Sequence, residues 1–321
     1  MHRNTQRIAA IALALGCAPV WAQSFPTKPV RLFVASGPGG STDTLARTLG
    51  ERLVPVWNQS LVYDNRPGAG GQIAGELTAR ASPDGYTLLF STSAAIAVSV
   101  SLYKKLPYDP VKDFAPIILT ATQPYMVIAH PSSAASVKDL IAMAKARPGE
   151  IGFAHTGVGT GSHLAGELFM HVTGVKLLSV PYKSIGASLV AVVSGETPLT
   201  FTSIHSAWPQ AKAGKARALA VTGKTRSPAA PQVPTMAEAG VPDYVTGNWY
   251  GMLAPAGVSR AIVAQINQHL NAVLARQDVK DMLINQGYDP AGGTPEEFSR
   301  FIKSEIVSYA ALVKSAGIHA N

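Results

Sequence analysis

Apolar runs alternate with amphipathic ones along most of this chain, and that order restricts the fold more than any other property of the sequence. "VRLFVAS" comes before a helical pattern over residues 42–53, "SLVYDN" before another over 72–80, and "YTLLFST" follows the turn Ser82-Pro83-Asp84-Gly85. A second series starts at "YMVIAH" and runs through a helix over 136–146, "IGFAH", a helix over 162–173, "KLLSVPY", a helix over 185–194, "TPLTFTS" and "ARALAVTG". Repeated strand–helix–strand units build a sheet with parallel strands whose faces are covered by helices. The expected class is α/β, with mixed, mostly parallel sheets and helices on both faces. Past the short strand "NWYGMLAP", three amphipathic helices over 260–275, 277–286 and 295–316 run to the end with almost no strand between them.

Each series contains a glycine-rich loop that ends in serine and opens a helix with apolar residues four apart: Leu45, Leu49 and Leu53 in the first, Leu164, Leu168 and Val172 in the second. That spacing gives each helix one apolar stripe. Two similar lobes, each offering a helix start, imply a cleft between them. In sheets of this kind ligands bind beyond the carboxyl ends of the strands.

The first loop lies in "ASGPGGSTDTLAR". With Ser41 or Thr42 as the helix cap and Asp43 in the first turn, the leading N–H groups are only partly satisfied and attract anions. Gly39 and Gly40 let a ligand approach the backbone closely. A phosphate-binding Walker loop needs a lysine after its last glycine, where Ser41 stands, and a nucleophile turn needs glycine two residues after the serine, where Asp43 stands. Taken alone, the stretch is explained equally well as a capped helix and as an anion site.

The second loop, in "HTGVGTGSHLAGELF", repeats that chemistry with Gly157, Gly159 and Gly161, then Thr160 and Ser162, the latter as cap. A dinucleotide fingerprint would need glycine at 160 or 162. His163 to Glu167 lacks the second histidine of a zinc helix, so His155 and His163 read as hydrogen-bonding or plain loop residues, and neither a metal nor a cofactor is expected. Ser91, Thr92 and Ser93 put small hydroxyls at a strand end on the ligand side, and "VPYK" puts Tyr182 and Lys183 at another. "NRPGAGGQIAGEL" reads as a turn with Arg66 packing locally. No serine has a convincing base, although Ser41 and Ser162 keep a secreted serine hydrolase in view as the rival reading.

Residues 1–22 read as a secretory leader: Arg3 and Arg7, an apolar run over 8–16, and Val20-Trp21-Ala22 before a cut at Gln23. Cys17 is a candidate lipid acceptor, although Ala14 stands where the leucine of such a motif belongs. It is the only cysteine, so a processed chain has no disulfide and no thiol chemistry. The formal charge of +8 falls to +6 once Arg3 and Arg7 are removed with the leader, and the remaining basic residues are scattered, which argues against nucleic-acid binding.

The motifs "PTKPVRLFV…PGGSTDTLAR", "VYDNRPGAGGQIAGEL", "SPDGYTLLF", "GSHLAGELF", "VPYK", "AGKARALAVTG", "VPTMAEAG", "WYGMLAPAG" and "GGTPEEFSRFIKSE" occur in this order. Together they resemble the Bug (TctC-type) family, the extracytoplasmic solute receptors of tripartite tricarboxylate transporters. The resemblance implies a periplasmic, two-lobed binding protein, similar in plan to type II receptors, that closes on a small organic acid and delivers it to membrane transporter subunits. A monomer without chemistry of its own is expected, and an orphan receptor that senses carboxylates for signalling has the same site. It implies lobes at 23–124 and 125–247, the first completed by 248–321, with crossings near 123–125 and 247–250. Carried over, both loops hold one ligand carboxylate: Gly39, Gly40, Ser41, Thr42 and Asp43 on one side, Gly159, Thr160, Gly161, Ser162 and His163 on the other. Departures from the family pattern point to specificity at Ser36, where an aromatic residue is common, at Ser184, where glycine is usual, and at Pro198 and Thr202, where acids are common. With threonine at 202, a ligand without an amino group is expected.

Overall fold

The computed structural model describes residues 25–315 and 317–318. The expected leader, its cut at Gln23 and Cys17 lie outside the described residues. β1 (Val30–Val34), α1 (Ser41–Trp57), β2 (Leu61–Asn65), α2 (Gln72–Ala79) and β3 (Thr87–Thr92) form the first series. A π-helical turn (Ala94–Val98) and the short α3 (Ser99–Leu102) lead into β4 (Phe114–Ala129). The second series is α4 (Val137–Ala146), β5 (Gly152–His155), α5 (Gly161–Thr173), β6 (Leu178–Pro181), α6 (Ile185–Val193), β7 (Leu199–Ser203), α7 (Ile204–Lys212) and β8 (Arg217–Val221). β9 (Gly247–Pro255), α8 (Arg260–Ala275), α9 (Gln277–Asn285), β10 (Asp289–Gly292) and α10 (Pro295–Ser315) complete it.

The strands lie in the order β2-β1-β3-β9-β4-β7-β5-β6, with β8 and β10 also on β4. The mixed sheet expected from the sequence is present. Its parallel pairings lie in two outer groups, β2-β1-β3 and β7-β5-β6, and every pairing made by β4 and β9 is antiparallel. "Mostly parallel" thus describes the flanks and not the middle. β4 pairs with β9 and β10 up to Pro124 and with β7 and β8 from Tyr125 onward. One strand therefore serves both halves of the molecule.

Two cores flank this shared strand. The first draws on residues 25–121 and 250–288, where Leu45, Leu49 and Leu53 of α1 meet Leu32, Phe90, Ile266 and Leu270. Each such fully buried leucine contributes about 1.5–3 kcal/mol. The second draws on residues 125–244, with Phe153, Phe169, Phe201 and Tyr244 at its centre. A smaller apolar cluster, Val98, Leu102, Leu164, Val313 and Ile318, joins α5 of the second half to α3 and α10 of the first.

The structure corrects several sequence expectations. The strand expected to begin at Tyr125 begins at Phe114, because Pro116, which lacks an N–H and breaks a strand pattern, is absorbed at a register shift between Pro116 and Ile118. α7 was not foreseen, since Pro209 lies inside it. "STSAAIAVS" is a strand end running into a π-helical turn, and β10 is a strand between the last two helices.

Candidate ligand-binding site

α1 and α5 start with the same backbone geometry. Gly39 and Gly159 both have φ +76, a left-handed conformation that favours glycine. Next come the caps: Gly40 at φ −74, ψ 166 and Thr160 at φ −72, ψ 158, neither with a side-chain capping bond. Ser41 is therefore the first helical residue and Ser162 the second, and neither is the cap that the sequence suggested. Ser41, Thr42, Asp43, Ser162 and His163 are all buried. A helix start that is buried and uncapped leaves its first N–H groups for a ligand or water.

Asp43 shapes the first loop. Its Oδ2 accepts from the Gly39 N–H at 2.9 Å, and its Oδ1 accepts from Arg47 Nε and Asn65 Nδ2, both at 2.9 Å. Asn65 Nδ2 also donates to Ser36 O at 3.0 Å, and the Arg47 guanidinium lies 4.6 Å from the centre of the Tyr63 ring. Burial alone would raise the Asp43 carboxyl, but the bonds from Arg47, Gly39 and Asn65 outweigh it and hold the pKa below its ordinary value. Both oxygens accept within the loop, so Asp43 organises it.

Histidine does the equivalent in the second loop. His163 Nδ1 accepts from the Gly159 N–H at 3.4 Å, four residues back as Asp43 is from Gly39, and His155 Nδ1 accepts from the Gly157 N–H at 3.0 Å. Nδ1 acceptance puts the proton of each neutral ring on Nε2, which faces Ser179 Oγ at 2.7 Å in His155 and Glu167 Oε1 at 3.4 Å in His163. The ring centres are 4.7 Å apart. Burial, then the neighbouring His155, pushes His163 down to about 4, and burial lowers His155 as well. Ser162 Oγ turns back to accept from the Thr156 N–H at 3.1 Å, and the Thr160 hydroxyl donates to Gly157 O at 2.7 Å.

The floor between the two helix starts is built from β4 and β9. Ala121, Gln123 and Tyr125 alternate onto one face of β4, the face whose cores hold α1 in one half and α5 in the other. Tyr250, opposite Ala121, places its hydroxyl 3.0 Å from Ser41 Oγ and 2.8 Å from Gln123 Oε1. The Tyr288 hydroxyl donates to Ser41 O at 2.7 Å. Ser93 Oγ lies 2.7 Å from Asn248 Oδ1.

The family model described as "Tripartite tricarboxylate transporter family receptor" matches residues 45–318. The chain belongs to this receptor family. The receptor is 37% identical to Protein BugT of Bordetella pertussis over 96% of this chain and 95% of that one. Among solved structures it is similar to R. palustris Rpa4515 with adipate, at TM-score 0.89 and 37% identity, covering 92% of this chain and all of that one. It is also similar to MatC from Rhodopseudomonas palustris with bound malate, at TM-score 0.84 and 30% identity over 90% of this chain and all of that one. Periplasmic binding protein BugD superposes at TM-score 0.86, with 32% identity over 92% of this chain and all of that one. The receptor thus has the two-lobed α/β fold of periplasmic binding proteins, and its solved relatives include carboxylate binders.

Not every residue singled out in the sequence reaches this floor. Tyr182 of the receptor points its hydroxyl at Glu196 Oε1 and Thr197 Oγ1, 2.9 and 2.6 Å away, next to the edge strand β6. Ser184 is exposed and caps α6, its Oγ accepting from the Ala187 N–H. Thr202 is buried on β7 opposite Met126, one residue before the pair Ser203 and Tyr125. Ser36 is half-buried at the mouth of the first loop. Ser91 is fully buried and its Oγ has no partner among the described residues, and Thr92 is buried beside it on β3. Two surface grooves, about 390 Å³ beside Trp208 and Arg217 and about 380 Å³ beside Asn271 and Lys280, lie away from both helix starts. Sequence reasoning placed Gln123, Tyr125 and Tyr250 only at the lobe crossings and not in the floor, and it missed Tyr288. The one signal they left was polar tips in otherwise apolar strand runs. Among the described residues, no group of three or more His, Cys, Asp or Glu is placed to hold a metal ion.

Proposed function

We propose that this receptor captures a small organic carboxylate between its two lobes, residues 23–124 with 248–321 and residues 125–247, and delivers it to the membrane subunits of a tripartite tricarboxylate-type transporter. The observation that carries the reading is the pair of matched, uncapped helix starts over one floor, with Ser41 and Thr42 buried in one and Ser162 and His163 buried in the other. Tyr250, level with Ala121, and Tyr125 are four residues apart along β4, about 13 Å of backbone between the two helix starts. Each hydrogen bond from a helix start to a carboxylate is worth about 1.5–3 kcal/mol, and each helix dipole adds about 0.3–1 kcal/mol.

The ligand carries no amino group. Asp43, the carboxylate nearest the first helix start, already accepts from Gly39, Arg47 and Asn65, and Thr202 offers no charge to an ammonium. The receptor performs no chemistry: Ser41 Oγ faces Tyr250, Ser162 Oγ faces Thr156 and Thr160, and Nδ1 of both nearby histidines is engaged by the loop backbone. It works in the periplasm, exported by the leader at 1–22, as a monomer. A thermal-shift and calorimetric screen of adipate, malate, benzoate, aspartate and glutamate tests this. An amine-free acid at a hundred times its Kd should add about 2.7 kcal/mol of stability. Tight binding of aspartate or glutamate with none of the amine-free acids would refute it.

A further inference from the structure

Tyr125 lies at the point where β4 passes from one sheet to the other. It keeps only 6% of its surface exposed, and its backbone is fixed on both sides by Thr222. Its hydroxyl has no hydrogen-bond partner among the described residues. That hydroxyl sits against the first helical residue of α5: a Cβ added to Gly161 would overlap it. The matching place at α1 is occupied differently. There Tyr250 meets the first helical residue, Ser41, and its single proton is committed between Ser41 Oγ and Gln123 Oε1. The same device appears twice, a phenol from a crossing strand aimed at a helix start, but only the Tyr125 phenol is left with a free proton. Glycine at 161 makes room for it where Ser41 engages its counterpart.

We propose that the Tyr125 hydroxyl is a direct ligand contact, donating its proton to the carboxylate oxygen held on the first turn of α5. This rests on the carboxylate reading above. A hydroxyl with no protein partner is bonded to water in the unliganded cleft, and a ligand that displaces that water must offer an acceptor in its place. Burial raises the phenol well above its ordinary pKa, so it stays a neutral donor at any pH at which the receptor works. A ligand carboxylate facing the N–H groups of Gly161, Ser162 and His163 has spare lone pairs for one more donor. The free phenol supplies it from the floor.

The test is Tyr125→Phe, measured by calorimetric titration with adipate, malate and benzoate beside the unliganded melting temperature. Losing one hydrogen bond to a charged acceptor should weaken binding about ten- to a hundred-fold. The unliganded melting temperature should stay equal to wild type or rise, because the hydroxyl has no protein partner to lose. Tyr250→Phe is the contrast and should melt lower, since its hydroxyl is bonded. If Tyr125→Phe binds within two-fold of wild type, or melts several degrees lower without ligand, the assignment is overturned while the receptor reading stands. If wild type binds none of the acids, the carboxylate reading fails and this assignment falls with it.

Discussion

Acid should loosen the second loop of the cleft before the first, through His163. The ring is buried and accepts from the Gly159 N–H, so the folded chain holds it neutral and pushes its pKa down to about 4 from 6.5. Glu167 Oε1 at 3.4 Å would favour the charged ring, but burial and the neighbouring His155 outweigh it. The unfolded chain takes up the proton near pH 6.5 and the folded chain only near 4, so stability is whole above about pH 6.5 and falls as the pH drops between these values. For a depression of this size the loss is about 2 kcal/mol at pH 5 and about 3 kcal/mol below pH 4. His155 is lowered too and adds in the same direction. The assay is urea unfolding of wild type and His163→Asn at pH 7 and pH 5. Asparagine keeps an acceptor near Gly159 but does not titrate, so the variant should be less stable at pH 7 and lose about 2 kcal/mol less than wild type on acidification. Equal losses in the two proteins would refute the reasoning, as would a wild type that gains stability towards pH 5.

Asp43→Ala leaves Asn65 Nδ2 and the Gly39 N–H without their shared acceptor. It should cost about 2–4 kcal/mol in denaturant melts, and binding should weaken at least ten-fold; unchanged affinity would mean that this network does not shape the site. Gly159→Ala puts a side chain on a residue at φ +76 and in the place of the Leu102 side chain. Titrations should show weaker binding, partly recovered in Gly159→Ala with Leu102→Ala, because the second change removes the overlap but leaves the backbone cost of about 1–2 kcal/mol. No recovery would locate the whole effect in the backbone.

Much of the architecture was legible from periodicity. α8 has the bounds its apolar spacing suggested, and the leucines at 45, 49 and 53 are fully buried. The two loops were legible as a pair because glycine, serine and a following apolar stripe are local signals. What each polar residue does there was not. Serine beside glycine resembles a cap, yet the left-handed turn at Gly39 and at Gly159 shifts the cap one residue from Ser41 and two from Ser162. Asp43 in a first turn resembles a dipole partner, and only Asn65 and Arg47, brought in by β2 and the next turn of α1, show it as the anchor of a loop. The floor was invisible for a plainer reason: Tyr250 meets Gln123 from 127 residues away, and no local pattern encodes that meeting.

β4 belongs to both sheets, and for a chain made from its N-terminus that has a consequence for assembly. Residues 125–244 hold the whole second core in one continuous stretch, so that half can close as soon as it is synthesised. The first core needs Tyr250, Ile266, Leu270 and Tyr288, and until β9 arrives β3 presents an open edge. A chain ending before β9 is therefore expected to fold in its later half while its earlier half sticks to other chains, reversing the usual expectation that the first part made is the first part finished.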